Sequence, residues 1–181
     1  MKTFSFEIKQ DEYADNPRDE FDHISTFYGV SGRYMVGGKK DVTYRYSEDL
    51  SETIAELRKE KAVIVEFSSN AGTCYAVVER NQLQDEYLKY GYSMRKALYR
   101  ARRCAQGEIN EFLAWAEGEV YGFVVKDDET GETLDSCWGF YGDDGRKAAE
   151  DEAKSMIKYY EEEEQKQEDL LTSRLEFAAN L

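Results

Sequence analysis

Five cations crowd into nine residues: Arg95, Lys96, Arg100, Arg102 and Arg103. On an α-helix successive residues turn by about 100°. Arg95 and Arg102 stand seven apart, and Lys96, Arg100 and Arg103 step by four and three. These two neighbouring rows make one broad basic face, the arrangement that contacts the phosphates of a nucleic-acid strand. Tyr87, Tyr90, Tyr92 and Tyr99 lie close by in sequence, and tyrosines can stack on bases or fill a core. The competing reading is a solvated face that pairs with acids elsewhere in the chain.

Acids offer a second chemistry. Asp15, Asp19, Glu20 and Asp22 form one cluster, and Glu161, Glu162, Glu163 and Glu164 form another. Either could meet a basic protein partner. Asp127, Asp128, Glu129 and Glu132 do not follow the EF-hand spacing, so they read as a solvated loop. His23 is the one histidine, and Cys74, Cys104 and Cys137 lack any paired spacing. These counts exclude a multi-histidine metal site and a CxxC knuckle, and leave His23 as the sole base for a serine triad. Neither a Walker A loop nor GxGxxG occurs. The expectation is no cofactor, no metal and no assigned catalytic residue. A nuclease built from scattered carboxylates stays open, because such a site needs no local motif.

The positions of these groups depend on what the chain can fold into. It has 181 residues, with 24 Lys and Arg against 38 Asp and Glu, a net charge of −14. Hydrophobic residues make up 41% and aromatics 14%, too much for a disordered chain. No run approaches the ~18 apolar residues of a membrane span, and the first residues lack an apolar leader core. Three unpaired cysteines suit reduced thiols in a cytoplasm. The acidity disfavours generic binding to DNA or anionic membranes.

Periodicity places strands at 2–9, 42–46, 62–67, 74–78, 119–126 and 133–140, with 24–36 extended. Gly37-Gly38-Lys39-Lys40 reads as a hairpin turn. Helices follow from Leu50, Ile54 and Leu57, capped by Ser47 or Ser51, and from Leu83, Tyr87 and Leu88, capped by Asn81. The longest runs from a Ser93 cap to Gly118, with Met94, Leu98, Ala101, Ala105, Ile109, Phe112 and Ala116 as its apolar stripe. A last helix, capped by Asp143 or Asp144, buries Ala149, Ala153, Met156, Ile157 and Tyr160. Alternation puts Trp138 and Phe140 on one strand face, with core packing as the default. The sum is a single α+β domain of antiparallel strand pairs with three to four packed helices over 1–160. An acidic, weakly helical tail covers 161–181.

Two stretches carry a resemblance. Asp15-Asn16-Pro17-Arg18-Asp19-Glu20-Phe21-Asp22 is the first. Glu119-Val120-Tyr121-Gly122-Phe123, followed by Asp135-Ser136-Cys137-Trp138-Gly139-Phe140-Tyr141-Gly142, is the second. Together they resemble a family of small proteins of phages and mobile elements, over the first forty residues and about 80–157. The chain departs from that pattern at His23-Ile24-Ser25-Thr26. In size and charge it is similar to the type II anti-CRISPR proteins. The resemblance implies an anti-defence protein in the bacterial host cytoplasm that binds Cas9, Cas9 with its guide RNA, or target DNA. Cas9 holds nucleic acid in a positively charged channel, which attracts acids. Duplex DNA carries one charge per ~1.7 Å, far denser than 14 net charges over this chain, so local acidic patches fit better than whole-molecule mimicry.

Overall fold

The computed structural model describes residues 2–20, 22–29, 35–36, 39–40, 50–69 and 72–179. In chain order the elements are β1 (Phe4–Gln10), α1 (Pro17–Glu20), β2 (Thr26–Tyr28), β3 (Met35–Val36), β4 (Lys39–Lys40), α2 (Leu50–Lys59), β5 (Val63–Ser69), β6 (Gly72–Val78), α3 (Arg80–Glu86), a 3-10 turn (Leu88–Tyr90), α4 (Met94–Glu117), β7 (Val120–Asp127), β8 (Thr133–Tyr141) and α5 (Gly142–Ala179). Every strand pair is antiparallel, and the class is α+β. Five α-helices stand among the described residues. The one not anticipated is α1, a single turn. Val42–Tyr46 and Ser47 lie outside the described residues.

The chain gathers into two compact units. One combines Met1–Ala14 with Glu119–Leu181, and the other is Asp15–Gly118.

In the first unit the sheet order is β1-β7-β8. Phe4, Phe6 and Ile8 alternate as half-buried positions along β1, which is what a strand with one covered face requires. Phe6 opposes Val125 and Ile8 opposes Phe123. α5 lies on this face, with Ala149 and Ala153 fully buried against Phe123 and Val125. Those alanines let the helix approach closely, and Met156, Ile157 and Tyr160 widen the contact. The helix starts at Gly142, so Asp143 and Asp144 sit in its first turn rather than capping it. It also runs through 160/161 without a break.

The alternation expected for β8 fails at Gly139. Tyr121 pairs with Phe140 and Gly122 with Trp138, so Gly139 is an extra, unpaired residue. Its φ of +89° suits glycine at a bulge. The bulge puts Cys137 and Phe140 against the core cluster and leaves Trp138 44% exposed. Trp138 and Phe140 therefore do not share a face.

In the second unit the order is β2-β6-β5. Successive residues of β2 split between the two faces. Tyr28 packs with Ile54 and Leu57 of α2 and with Val77. Phe27 meets Phe67 and Phe112, with ring centroids 5.1 and 5.4 Å apart. Helices thus cover both faces, and Ala76, Val77 and Val78 are all buried, as in a sheet with no wet side. Ser51 lies inside α2. α3 is preceded by Glu79 rather than capped at Asn81, and Gln82 Oε1 accepts the Glu79 N–H at 2.7 Å.

Candidate nucleic-acid interface

α4 sets out the site. Ser93 Oγ accepts the Lys96 N–H at 3.4 Å, and Gly118, left-handed, ends the helix. Its 24 residues span about 36 Å. The first three turns bury only Ala97, Ala101 and Ala105, and the larger Ile109, Phe112 and Trp115 follow. Met94 and Leu98, expected in the apolar stripe, are instead 44% and 37% exposed. The small residues seat the helix close on its sheet, and in these first three turns everything outside that narrow seam stands in solvent.

Arg95, Lys96, Arg100, Arg102 and Arg103 are all exposed. Among the described residues none of the five has a carboxylate within ion-pair distance of 4.0 Å. The alternative of a face neutralised by the chain's own acids therefore lacks its contacts among these residues. Aromatic rings interleave with the cations. Lys96 Nζ and Arg100 Cζ lie 4.7 and 4.9 Å from the Tyr92 ring centroid, and Arg103 Cζ lies 6.0 Å from that of Tyr99. Tyr90 and Tyr99 are 69% and 61% exposed. Tyr87 and Tyr92 are half-buried and meet edge-to-face at 6.1 Å. Two of the four tyrosines therefore offer rings to solvent, and two pack on each other.

Two clefts border the helix. One, of about 450 Å³, is lined by Tyr87, Tyr99, Arg100, Arg103 and Cys104. In it the Tyr87 hydroxyl and the Cys104 thiol lie 3.3 Å apart. Burial, then the Cys104 contact, pushes the Tyr87 phenol well above its usual value. The other, of about 370 Å³, is lined by Arg58, Ala62, Val63, Ile64, Leu98 and Arg102. Arg58 was not singled out in the sequence, because it lies more than forty residues from Arg102 and in a different helix.

The first acidic cluster is built around a cation. Pro17 opens α1 with Asn16 before it, whose Oδ1 accepts the Arg18 N–H at 3.0 Å. Arg18 Nη1 donates to Glu108 Oε2 at 2.9 Å, and Nη2 donates to the Ser25 carbonyl at 2.6 Å. Glu108 also accepts the N–H groups of Ile24 and Ser25, at 2.8 and 3.2 Å, and the Ser25 hydroxyl. The Arg18 guanidinium lies 4.0 Å over the Phe27 ring. Asn16, Pro17 and Arg18, part of the resemblance, thus anchor this segment to α4. Asp15, Asp19 and Asp22 stay on the surface, and the Glu20 side chain lies outside the described residues. His23 is half-buried beside Glu111. Burial pushes the Glu111 carboxyl up, His23 pulls it down, and Glu108 adds to the rise.

The second acidic cluster is largely paired. Glu163 meets Lys166 at 2.7 Å, Glu162 meets Lys158 at 3.7 Å, and Glu164 meets Lys2 at 4.0 Å. Such exposed pairs contribute little stability. Even so, the acidity is concentrated. The first unit has 9 Lys and Arg against 21 Asp and Glu, net −12, and the second has 15 against 17, net −2.

Asp127, read as loop, is buried and organises the β7–β8 turn. Its Oδ1 accepts the N–H groups of Glu129 and Thr130, at 2.8 and 3.1 Å. Burial opposes its ionisation, but those donors and Lys2 outweigh it and hold the carboxyl below its usual value. A lowered folded-state pKa contributes stability above the unfolded value of about 4 that is lost as pH falls through the folded value. Asp127→Asn keeps the acceptor and removes the titration. Its Tm is expected to fall less steeply than wild type from pH 5 down to pH 2 in a series of thermal melts.

No protein-family model, characterised protein or solved structure matches this chain. Among the described residues no three His, Cys, Asp or Glu side chains gather where they could hold a metal ion. No helix among them is long and apolar enough to cross a membrane.

Proposed function

We propose that the protein is a binding protein for nucleic-acid-containing assemblies, an inhibitor of a guide-loaded nuclease of the Cas9 type. The observation that supports this is the α4 face: five exposed cations with no carboxylate partner among the described residues, beside the exposed ring of Tyr99. Cations with no carboxylate partner among the described residues are available to phosphates, whose condensed counterions they displace. The first unit, with net −12, suits a positively charged protein channel. The two chemistries together match a target that is itself a basic protein holding a nucleic acid. The nuclease alternative has no gathered carboxylates among the described residues to support it.

The test is a Cas9 cleavage reaction with the protein titrated in before and after guide loading, DNA and guide both read on a denaturing gel. The expected result is uncut DNA and intact guide at near-stoichiometric protein. A shortened guide would move the assignment to an RNase. Full cleavage at excess protein would remove Cas9 as the target.

A further inference from the structure

A face that reads only a phosphate backbone needs neither a hollow nor a projecting ring. α4 has both. The cleft of about 450 Å³ beside it falls within the ~300–1,000 Å³ of small-ligand sites. Its neutral lining is the half-buried Tyr87 ring, whose hydroxyl lies 3.3 Å from the exposed Cys104 thiol. At its rim stands Tyr99, 61% exposed, with the Arg103 guanidinium 6.0 Å from its ring centroid. Arg100, another wall of the cleft, has its guanidinium 4.9 Å from the Tyr92 ring. Among the described residues no carboxylate lines the cleft.

A flat π-system carrying an anion fits these walls: the ring lies on Tyr99, and the anion meets two guanidiniums. A nucleotide unit has that chemistry. In a duplex the base faces are stacked on one another, whereas in a single strand they are free to lie on aromatic side chains. We propose that this cleft takes an unpaired base of single-stranded nucleic acid, stacked on Tyr99, with Arg100 and Arg103 on the flanking phosphates. The assignment rests on the nucleic-acid reading of α4 and makes it specific for single strands. DNA and RNA share the required base and phosphate, and differ at the 2′-hydroxyl.

The experiment is fluorescence anisotropy with the full chain and four labelled probes of equal length: oligothymidylate, oligouridylate, an abasic single strand and a duplex. Oligothymidylate is expected to bind about tenfold tighter than the abasic strand, since stacking adds to the phosphate contacts. Tyr99→Ala is expected to weaken oligothymidylate about tenfold, to the level of the abasic strand, and to leave the abasic strand and the duplex unchanged. Tyr99→Phe, which keeps the ring, should restore the wild-type value. Equal affinity for the two base-bearing strands, or a preference for oligouridylate through the 2′-hydroxyl, would each fit the cleft and name the source. Losses in Tyr99→Ala that fall equally on the abasic strand, or no loss at all, would overturn the subsite while leaving phosphate binding intact. Failure of all four probes at low salt would overturn the nucleic-acid reading itself.

Discussion

Arg18→Ala is expected to remove about 3–5 kcal/mol from the stability of the Asp15–Gly118 unit. The Arg18 and Glu108 side chains are only 6% and 12% exposed. Removing the cation leaves Glu108 buried against two backbone N–H groups and a hydroxyl, with its charge uncompensated. It also takes a guanidinium off the Phe27 ring, in the cluster that joins β2 to α4. Glu108→Gln should lose a comparable amount, because it strands the arginine instead. The measurement is urea unfolding followed by tryptophan fluorescence in a Trp138→Phe background. The buried Trp115 then reports on this unit alone. With slopes of about 1–3 kcal/mol per molar urea, the midpoint should drop by about 1–5 M. A loss below about 1 kcal/mol would show that this cluster does not hold the segment.

Replacing Arg95, Lys96, Arg100, Arg102 and Arg103 together with glutamine is expected to flatten the salt dependence of nucleic-acid binding. Each single-strand phosphate contact contributes about 0.7 to the log–log slope. Five contacts give roughly 3.5, so wild type should lose about a hundredfold in affinity between 50 and 200 mM salt. The variant should show little slope and no measurable binding at the higher salt. Each substitution should move stability by no more than about 0.5 kcal/mol, and the five together by no more than about 2.5 kcal/mol, because all five side chains are exposed. Thermal melts beside anisotropy titrations separate the two effects. An unchanged slope would place the interface elsewhere on the molecule. Replacing Glu161 to Glu164 with glutamine should leave the slope in place.

Where signals were local, the sequence was a good guide to the fold. Ser93 and Gly118 mark both ends of α4, and the alternation of Phe4, Phe6 and Ile8 marks the covered face of β1. The five cations could be placed on one exposed face because helical geometry alone fixes their bearing. Where a distant partner decides, the sequence was silent. Met94 and Leu98 look like core by spacing, yet the seam of α4 takes Ala97, since a helix seated close on a sheet needs small residues there. The bulge at Gly139 swaps Trp138 for Cys137 against the core, because one extra residue inverts the alternation on either side of it. Arg18 and Glu108 stand 90 residues apart, and no periodicity links them. The charge split between the units is hidden because the acidic unit is interrupted: its two stretches flank the near-neutral one.

That interruption bears on synthesis. The chain leaves the acidic unit after Ala14 and re-enters at Glu119, and there the Asp11 N–H donates to the Val120 carbonyl at 2.7 Å. β1 therefore precedes its neighbour in the sheet by the whole of Asp15–Gly118. At about 5–20 residues per second, a ribosome needs roughly 5–20 s to deliver that stretch. The Asp15–Gly118 unit has all its strands and helices within that interval and can fold as it emerges. β1, with Phe4, Phe6 and Ile8 uncovered, waits as a lone strand for β7. A chaperone that holds short apolar segments would find Phe4–Ile8 uncovered for as long as the interval lasts.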